Sequence, residues 1–419
     1  MRKNDLSILT PRAQDSMERL LSLYDERIYE WMAGLWEPEI GGFYYSNSAR
    51  DHEHFLPDIE STVQVIRFLQ KHGIAEKNGS LDLIPDWMRE KLLGFAKGLQ
   101  YEDDGFFYHP QWGKDIIASR KGRDNSWALS LIKDFGEEPL YTPGAERIKG
   151  AESVVSVPEY ITDRKKLYEY LESFDISVNS YPMGNSVGSQ MAQIIAAGNA
   201  DVVMDYYNKH QNPENGTWHG SVCYAASNGA MKISGTYAQM KMAYPNAELA
   251  VRSVMEALVS DELPGGIVDT YNPWATTLSI IESLRAAGDH ECAERIKKYV
   301  HENAHLFIDR TADKVALYKK DDGSFSYRKN SSKNFGCLSQ NAPVGIGCNE
   351  GDVNGTCLAS SGPVNRICWI LGLDVKFYDD SDSRRFYELL GKARVPEKKP
   401  IPAGLEVWKY LEKYIGRTK

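Results

Sequence analysis

Two kinds of helical pattern alternate along the chain. Segments 13–32 (AQDSMERLLSLYDERIYEWM), 87–99 (WMREKLLGFAKGL) and 291–307 (ECAERIKKYVHENAHLF) place apolar residues at i, i+3, i+4 and i+7, with charges between them. That is the stripe of a helix with one buried face. Segments 58–69, 125–132, 187–198, 228–240, 273–284 and 354–362 carry few charges and many Ala, Gly, Ser and Thr. A helix of that composition is expected to be buried on most sides.

Between the two kinds stands a recurring turn, acidic or rich in Asn, in which Gly is followed closely by an aromatic or β-branched residue. It reads EPEIGGFYYS (Gly42, Phe43), QYEDDGFFYH (Gly105, Phe106), NPENGTWHGS (Gly216, Trp218), DELPGGIVDT (Gly266) and KKDDGSFSYR (Gly323, Phe325). If one wide gap is a double step, the period is about 56 residues and six units fill the chain. The missing third turn is expected between Phe174 and Asn185, where SFDISVNSYPMGN is rich in turn residues but has no Gly-aromatic pair. Exposed helices alternating with buried ones predict an all-α fold, an (α/α)6 barrel or toroid. VALYKK (315–320) and SFSYRK (324–329) are expected as small β-hairpins at its rim. No Pro- or Ser-rich linker divides residues 1–419, so a single toroid domain is expected, with closing helices at about 375–419. Segments 137–162 and 309–350 read as long insertions over one mouth.

Composition narrows the partners. The formal net charge of −9 attracts neither nucleic acid nor an anionic membrane. No apolar run of about 18 residues and no signal-peptide core is present, so a cytoplasmic protein is expected. There is no phosphate-binding loop, dinucleotide fingerprint, H-E-x-x-H or C-x-x-C, and no cofactor is expected. Cys337, Cys348, Cys357 and Cys368 lack metal-ligand spacing and read as buried free thiols. With 24 Tyr against 13 Phe and 9 Trp, the chain has many rings that can keep a hydrogen-bonding tip.

The turns carry a resemblance. YYNKHQNPENGTW (206–218), with Gln211, Gly216 and Trp218, resembles the glutamine–glycine–tryptophan repeat of terpenoid cyclases and protein prenyltransferases. KLLGFAKGLQYEDDGFF (91–107), with Gln100 and Gly105, resembles it more loosely. PDIESTVQVIRFLQKHG (57–73) is similar to the helix bearing the acid motif of class II terpene cyclases, but Asp58-Ile59-Glu60-Ser61 stands where that motif is Asp-x-Asp-Asp. The layout is also similar to six-hairpin glycosidases, N-acylglucosamine 2-epimerase-like enzymes and toroidal polysaccharide lyases. The resemblance implies a toroid and leaves the reaction open.

In such a barrel the inner helices are expected to begin at one mouth, where polar residues concentrate. For hydrolysis of a glycosidic bond, one carboxyl must donate a proton while another stays ionised. Asp124, next to Arg123, is expected to stay ionised, and Glu60 to serve as the acid. Asp352 or Glu350 would face them, with Asp58 as a further candidate. Arg123, Asn125, Trp112, Trp218, His219, Tyr224, Asn228, Lys232, Asn272, Trp274 and Asn354 are expected to hold an oligosaccharide. The rings Tyr44, Tyr45, Phe107, Tyr108 and Tyr271 near the turns are candidates for stacking on sugar faces. Capping alone explains an Asn or Asp before an apolar helix, but not the cation of Arg123 at an N-terminus. Alternatives remain open. They are a lyase or epimerase using Tyr224 or His219 with Arg123 and Asn125, a terpenoid cyclase protonating through Asp58 or Glu60, and a toroid that binds without catalysis.

Overall fold

A computed structural model describes residues 4–76, 81–150, 158–332, 338–339 and 341–414, with the backbone alone at 148–150. Among the described residues, six helices form an inner layer. They are Ile59–Lys71, Ala118–Asp134, Ile176–Ala196, Tyr224–Met240, Asn272–Ala286 and Val353–Leu371, here the first to sixth inner helices. Each follows an outer helical segment: Pro11–Leu21 with Arg27–Gly34, Asp86–Gly98, Arg164–Glu172, Ala200–His210, Ala247–Val259, and His290–Glu302 with Ala304–Ala316. The sole two-stranded sheet among the described residues pairs Trp36–Glu37 with Gly42–Phe43. The expected hairpin at the sixth turn is present, with Lys320 N–H donating to Ser324 at 2.8 Å and Ser326 N–H to Tyr318 at 3.0 Å. The chain is an all-α (α/α)6 toroid with small hairpins at its rim.

The turns close this ring by a shared device. Gly41, Gly105, Gly216 and Gly323 have φ of +84°, +73°, +68° and +88°, a backbone state that residues with a Cβ rarely adopt. Each lies against the segment that opens the next unit. A Cβ would stand 2.5 Å from Lys91 O at Gly41, 2.3 Å from Thr142 O at Gly105, 2.6 Å from Ala250 N at Gly216 and 2.4 Å from Arg27 Cβ at Gly323. The last of these joins the sixth unit back to the first, where Pro11–Leu21 also packs on Ala304–Ala316. The aromatic residue after the glycine then latches to its inner helix. The N–H groups of Phe43, Phe107 and Phe325 donate to Thr62, Asn125 and Thr356 at 3.0, 3.0 and 2.9 Å. Two Gln side chains complete their turns: Gln100 donates to Gly105 O at 3.1 Å and Gln211 to Gly216 O at 2.8 Å.

Small residues on the inner helices have a packing reason. A Cβ on Gly229 would lie 1.9 Å from Ser180 Oγ, and one on Gly184 would lie 2.8 Å from Lys232 Cβ. The third and fourth inner helices therefore approach at backbone distance. The fourth packs as extensively on the fifth, while the fifth and sixth, the sixth and first, and the first and second touch over less of their length.

The third unit departs from expectation. The stretch 173–185 was expected to hold a turn, but only three residues separate Glu172 from Ile176, and the inner helix runs through it with a kink at Asn179. The third inner helix was also expected to be buried on most sides. Instead Val178, Tyr181 and Ile195 are exposed, because the second and third inner helices make at most a glancing contact among the described residues. The second inner helix begins at Ala118, so Arg123, Asp124 and Asn125 lie in its second turn rather than at its start. Segment 13–32 is two helices, broken between Leu21 and Arg27. Of the tail, Asp380–Gly391 packs on Arg27–Gly34.

Substituting Gly216→Ala is expected to lower the urea midpoint by an amount equivalent to about 1–3 kcal/mol. Gly188→Ala, in an open helical position, is expected to leave stability unchanged or raise it by up to about 1 kcal/mol.

Candidate functional site

The carboxylates at the start of the first inner helix and in the second turn of the second are held by arginines. Arg120 is 1% exposed. Its guanidinium binds Glu60 at 2.9 Å and Asp124 at 2.6 Å, with Asp58 at 3.6 Å. Half-buried Arg123 reaches away from its neighbour Asp124 and grips both oxygens of Glu60. Asp124 also accepts from Trp112 Nε1 at 3.0 Å, and burial raises its pKa against the pull of Arg120. The pairing is thus the reverse of the expected one. Arg123 serves Glu60, and Asp124 is a buried group whose neutral form burial favours. Asp58 caps its helix, accepting from Ser61 N at 2.9 Å and Ser61 Oγ at 2.6 Å. Gln64 extends the cluster to the sixth inner helix, donating to Glu60 and to Asn354 Oδ1, each at 3.3 Å.

The acids before the sixth inner helix are also occupied by protein donors. Asp352 is fully buried and accepts from Gly355 N at 2.6 Å and Tyr327 N at 2.8 Å. Burial pushes it up to about 7 against those bonds. Glu350 accepts from Ser46 Oγ at 2.9 Å, Ser48 N at 2.8 Å and Ser48 Oγ at 2.5 Å. It thereby clamps the loop between the first turn and the first inner helix.

Most candidate rings are inside. Tyr44, Tyr45, Phe107, Tyr108, Trp112, Trp218, Tyr224 and Trp274 are all buried. Trp218 Nε1 donates to Tyr207 O at 2.9 Å and Trp274 Nε1 to Thr311 Oγ1 at 2.9 Å. Trp112 stacks on His109 at 3.9 Å. Asn125 is spent on the Phe107 latch, and the His219 backbone carbonyl receives Asn212 and Asn215. Of the rings expected to stack on sugars, Tyr271 alone remains half-exposed, and the others serve as packing. Of the cysteines expected to be buried, Cys368 is, Cys357 is half-buried and Cys348 is exposed. Cys337 lies outside the described residues. Among the described residues no cluster of three metal-ligating side chains occurs, and no helix is long and apolar enough to cross a membrane.

Asn228, Lys232 and Asn272 converge elsewhere. They line a cavity of about 450 Å³ where the third, fourth and fifth inner helices meet, together with Ser180, Tyr181, Asp269, Tyr271, Tyr327 and Arg328. Asn272 donates to Asn228 Oδ1 at 2.7 Å, and Asn228 donates to Asp269 at 2.9 Å. The other Asp269 oxygen accepts from Gly265 N at 2.7 Å and Gly266 N at 3.2 Å. Three hydrogen bonds thus hold one carboxylate in the cavity wall, and Asn272 orients the Asn228 that makes one of them. Burial lowers the pKa of Lys232, whose amine lies 5.3 Å from the Tyr181 ring. Burial raises the phenols of Tyr181 and Tyr271, and that of Tyr327 to about 12. At neutral pH all three are proton donors.

Asp269, Tyr181 and Tyr327 escaped the sequence reading. Asp269 stands three residues after Gly266 in DELPGGIVDT, the position from which a side chain reaches back to the turn amides. That spacing was the available signal.

No protein-family model matches the chain, and neither does any curated protein. Among solved structures it is similar to the glycoside hydrolase family 15 glucoamylase from Hypocrea jecorina, at 10% identity and a TM-score of 0.39, covering 94% of this chain and 79% of that one.

Two measurements check the electrostatics. Arg120→Met leaves buried Asp58 and Asp124 without their cation and Glu60 with Arg123 alone, and is expected to cost about 3–5 kcal/mol in urea unfolding. For Asp352, the folded-state value of about 7 lies above the ordinary aspartate value of about 3.9. The native state therefore keeps a proton that the unfolded chain has lost. The resulting stability is full below pH about 4 and is lost as pH rises through about 7, at up to about 1.4 kcal/mol per pH unit. Asp352→Asn should remove that slope when unfolding is followed from pH 4 to pH 7.

Proposed function

We propose that this toroid is a carbohydrate-active enzyme that cleaves a glycosidic bond in the cavity above the fourth and fifth inner helices. The observation that carries the reading is Asp269, held by two backbone amides and Asn228 in a wall that also offers Asn272, Lys232 and three tyrosines. Amides, phenols and one oriented carboxylate match the hydroxyls of a sugar. A hydrocarbon would leave them unsatisfied at about 1–3 kcal/mol each.

The carboxylate pair first expected does not suit this role. Glu60 is bound to two guanidinium groups, Asp124 and Asp58 are buried beside Arg120, and Asp352 has no exposed surface. The cavity supplies one carboxylate rather than the two of ordinary glycosidases. Asp269 then acts as the base that takes a proton from the attacking water. The phenol of Tyr181, neutral at neutral pH like any phenol and the most accessible of the three, protonates the leaving oxygen. An unsaturated, ultraviolet-absorbing product would instead assign the base to a ring C–H and make the reaction an elimination. Protonation of an isoprenoid by Asp58 or Glu60 is disfavoured, because both are buried and occupied by Arg120, with Arg123 on Glu60.

Turnover of a panel of oligosaccharides by wild type and by Asp269→Asn tests the proposal. The variant is expected to keep its helical circular dichroism and lose about 10²–10⁴-fold in kcat. An unchanged kcat, or no turnover of any oligosaccharide by the wild type, contradicts it.

A further inference from the structure

The cavity has more positive charge than its own acids can balance. Lys232 and Arg328 line it, and Asp269 is its one carboxylate among the described residues. Asp269 already receives Gly265 N–H, Gly266 N–H and Asn228. Among the described residues the Lys232 amine makes no hydrogen bond and no ion pair. Its neighbour is the face of Tyr181. Arg366, on the sixth inner helix, is likewise set against a ring. Its guanidinium donates to Gly362 O of its own helix at 2.7 Å and lies 4.8 Å from the ring of Tyr271, itself a wall of the cavity. Burial also lowers the pKa of Arg366. Further along the lumen, Lys71 is lowered by burial and by the charges of Arg366 and Arg67.

A half-buried ammonium without an anion is costly, and a ring face returns only about 0.5–2 kcal/mol. Part-buried Lys314 and Lys398 at least donate to backbone carbonyls, and several other cations meet carboxylates. Lys114 meets Asp103 and Asp104, Lys319 meets Asp25, and Arg120 meets three carboxylates. Lys232 nevertheless presents an unpaired cation to the cavity, among groups already arranged for hydroxyls, and Arg366 stands against the Tyr271 ring of its wall.

We propose that the ligand of this cavity is an acidic saccharide, whose anionic substituent is received by Lys232 with Arg328 and Arg366 at the margins. The proposal rests on the saccharide reading above and adds the substrate class. The shared chemistry is a negative group on a sugar ring, either carboxylate or sulfate. The neutral amides Asn228 and Asn272 take the hydroxyls beside it.

Calorimetric titration of the full chain with three oligosaccharide series of equal length tests this: oligogalacturonides, sulfated oligosaccharides and neutral maltooligosaccharides. At least one acidic series is expected to bind more tightly than the neutral one, with affinity falling as salt rises. Lys232→Gln is expected to weaken the acidic ligand about ten- to hundredfold, and Lys232→Arg to restore most of it. Which acidic series binds identifies the substituent. Neutral ligands binding as well as acidic ones, or Lys232→Gln leaving acidic affinity unchanged, overturns the inference and leaves the proposed function standing. Binding of none of the three series overturns both.

Discussion

Four turns of this chain depend on a residue without a Cβ at a place where the backbone is left-handed and another segment lies within van der Waals contact. Gly41, Gly105, Gly216 and Gly323 each meet both conditions. The geometry explains why the repeat is read in the turns rather than in the helices. A helix keeps its role with any suitable apolar stripe, whereas the turn tolerates one residue type. Because each glycine abuts the following unit, the device sets the spacing between outer segments as well as the reversal of the chain. At Gly323 it brings the sixth unit onto Arg27 and so closes the ring.

Inside that ring, charge is distributed unevenly. The first and second inner helices are joined by Arg120 and Arg123 with Asp58, Glu60 and Asp124, an assembly in which the described partners satisfy one another. Removing one member strands the rest, which is the signature of a structural network. The third and fourth inner helices are joined by close backbone approach at Ser180–Gly229 and Gly184–Lys232, and the fourth packs extensively on the fifth. Little charge is needed there for cohesion, so Asp269, Lys232 and the tyrosines are left facing a cavity. The two halves hold together by different physics, and only the second keeps polar groups free for a ligand.

Much of the architecture was legible because it rests on local rules. The low-charge stretches 228–240 and 273–284 are the cores of the fourth and fifth inner helices, and the Gln–Gly pairs close their turns as the motif implied. The third unit was misread because Asn, Ser, Pro and Gly in 173–185 suggest a turn, yet close packing on the fourth inner helix demands small residues at those same positions. The site was half legible. Asn228, Lys232 and Asn272 do meet. The carboxylates expected beside them lie instead against Arg120 and Arg123, because adjacency in sequence, Arg123 beside Asp124, says nothing about which way either side chain turns in a helix. Tyrosine was likewise overread as surface, since hydrogen bonding and burial are compatible when a backbone carbonyl lies near, as Ala359 O does for Tyr24 at 2.9 Å.

The central claim is that recognition and chemistry occupy the cavity of the fourth and fifth inner helices and not the arginine–carboxylate network across the lumen. The most direct measurement is a crystal structure of the chain with an acidic oligosaccharide bound. The account predicts sugar oxygens in hydrogen-bond range of Asp269, Asn228 and Asn272, with the anionic group at Lys232. A sugar seated instead against Glu60 and Arg123, with the cavity beside Asp269 holding none of it, would contradict it.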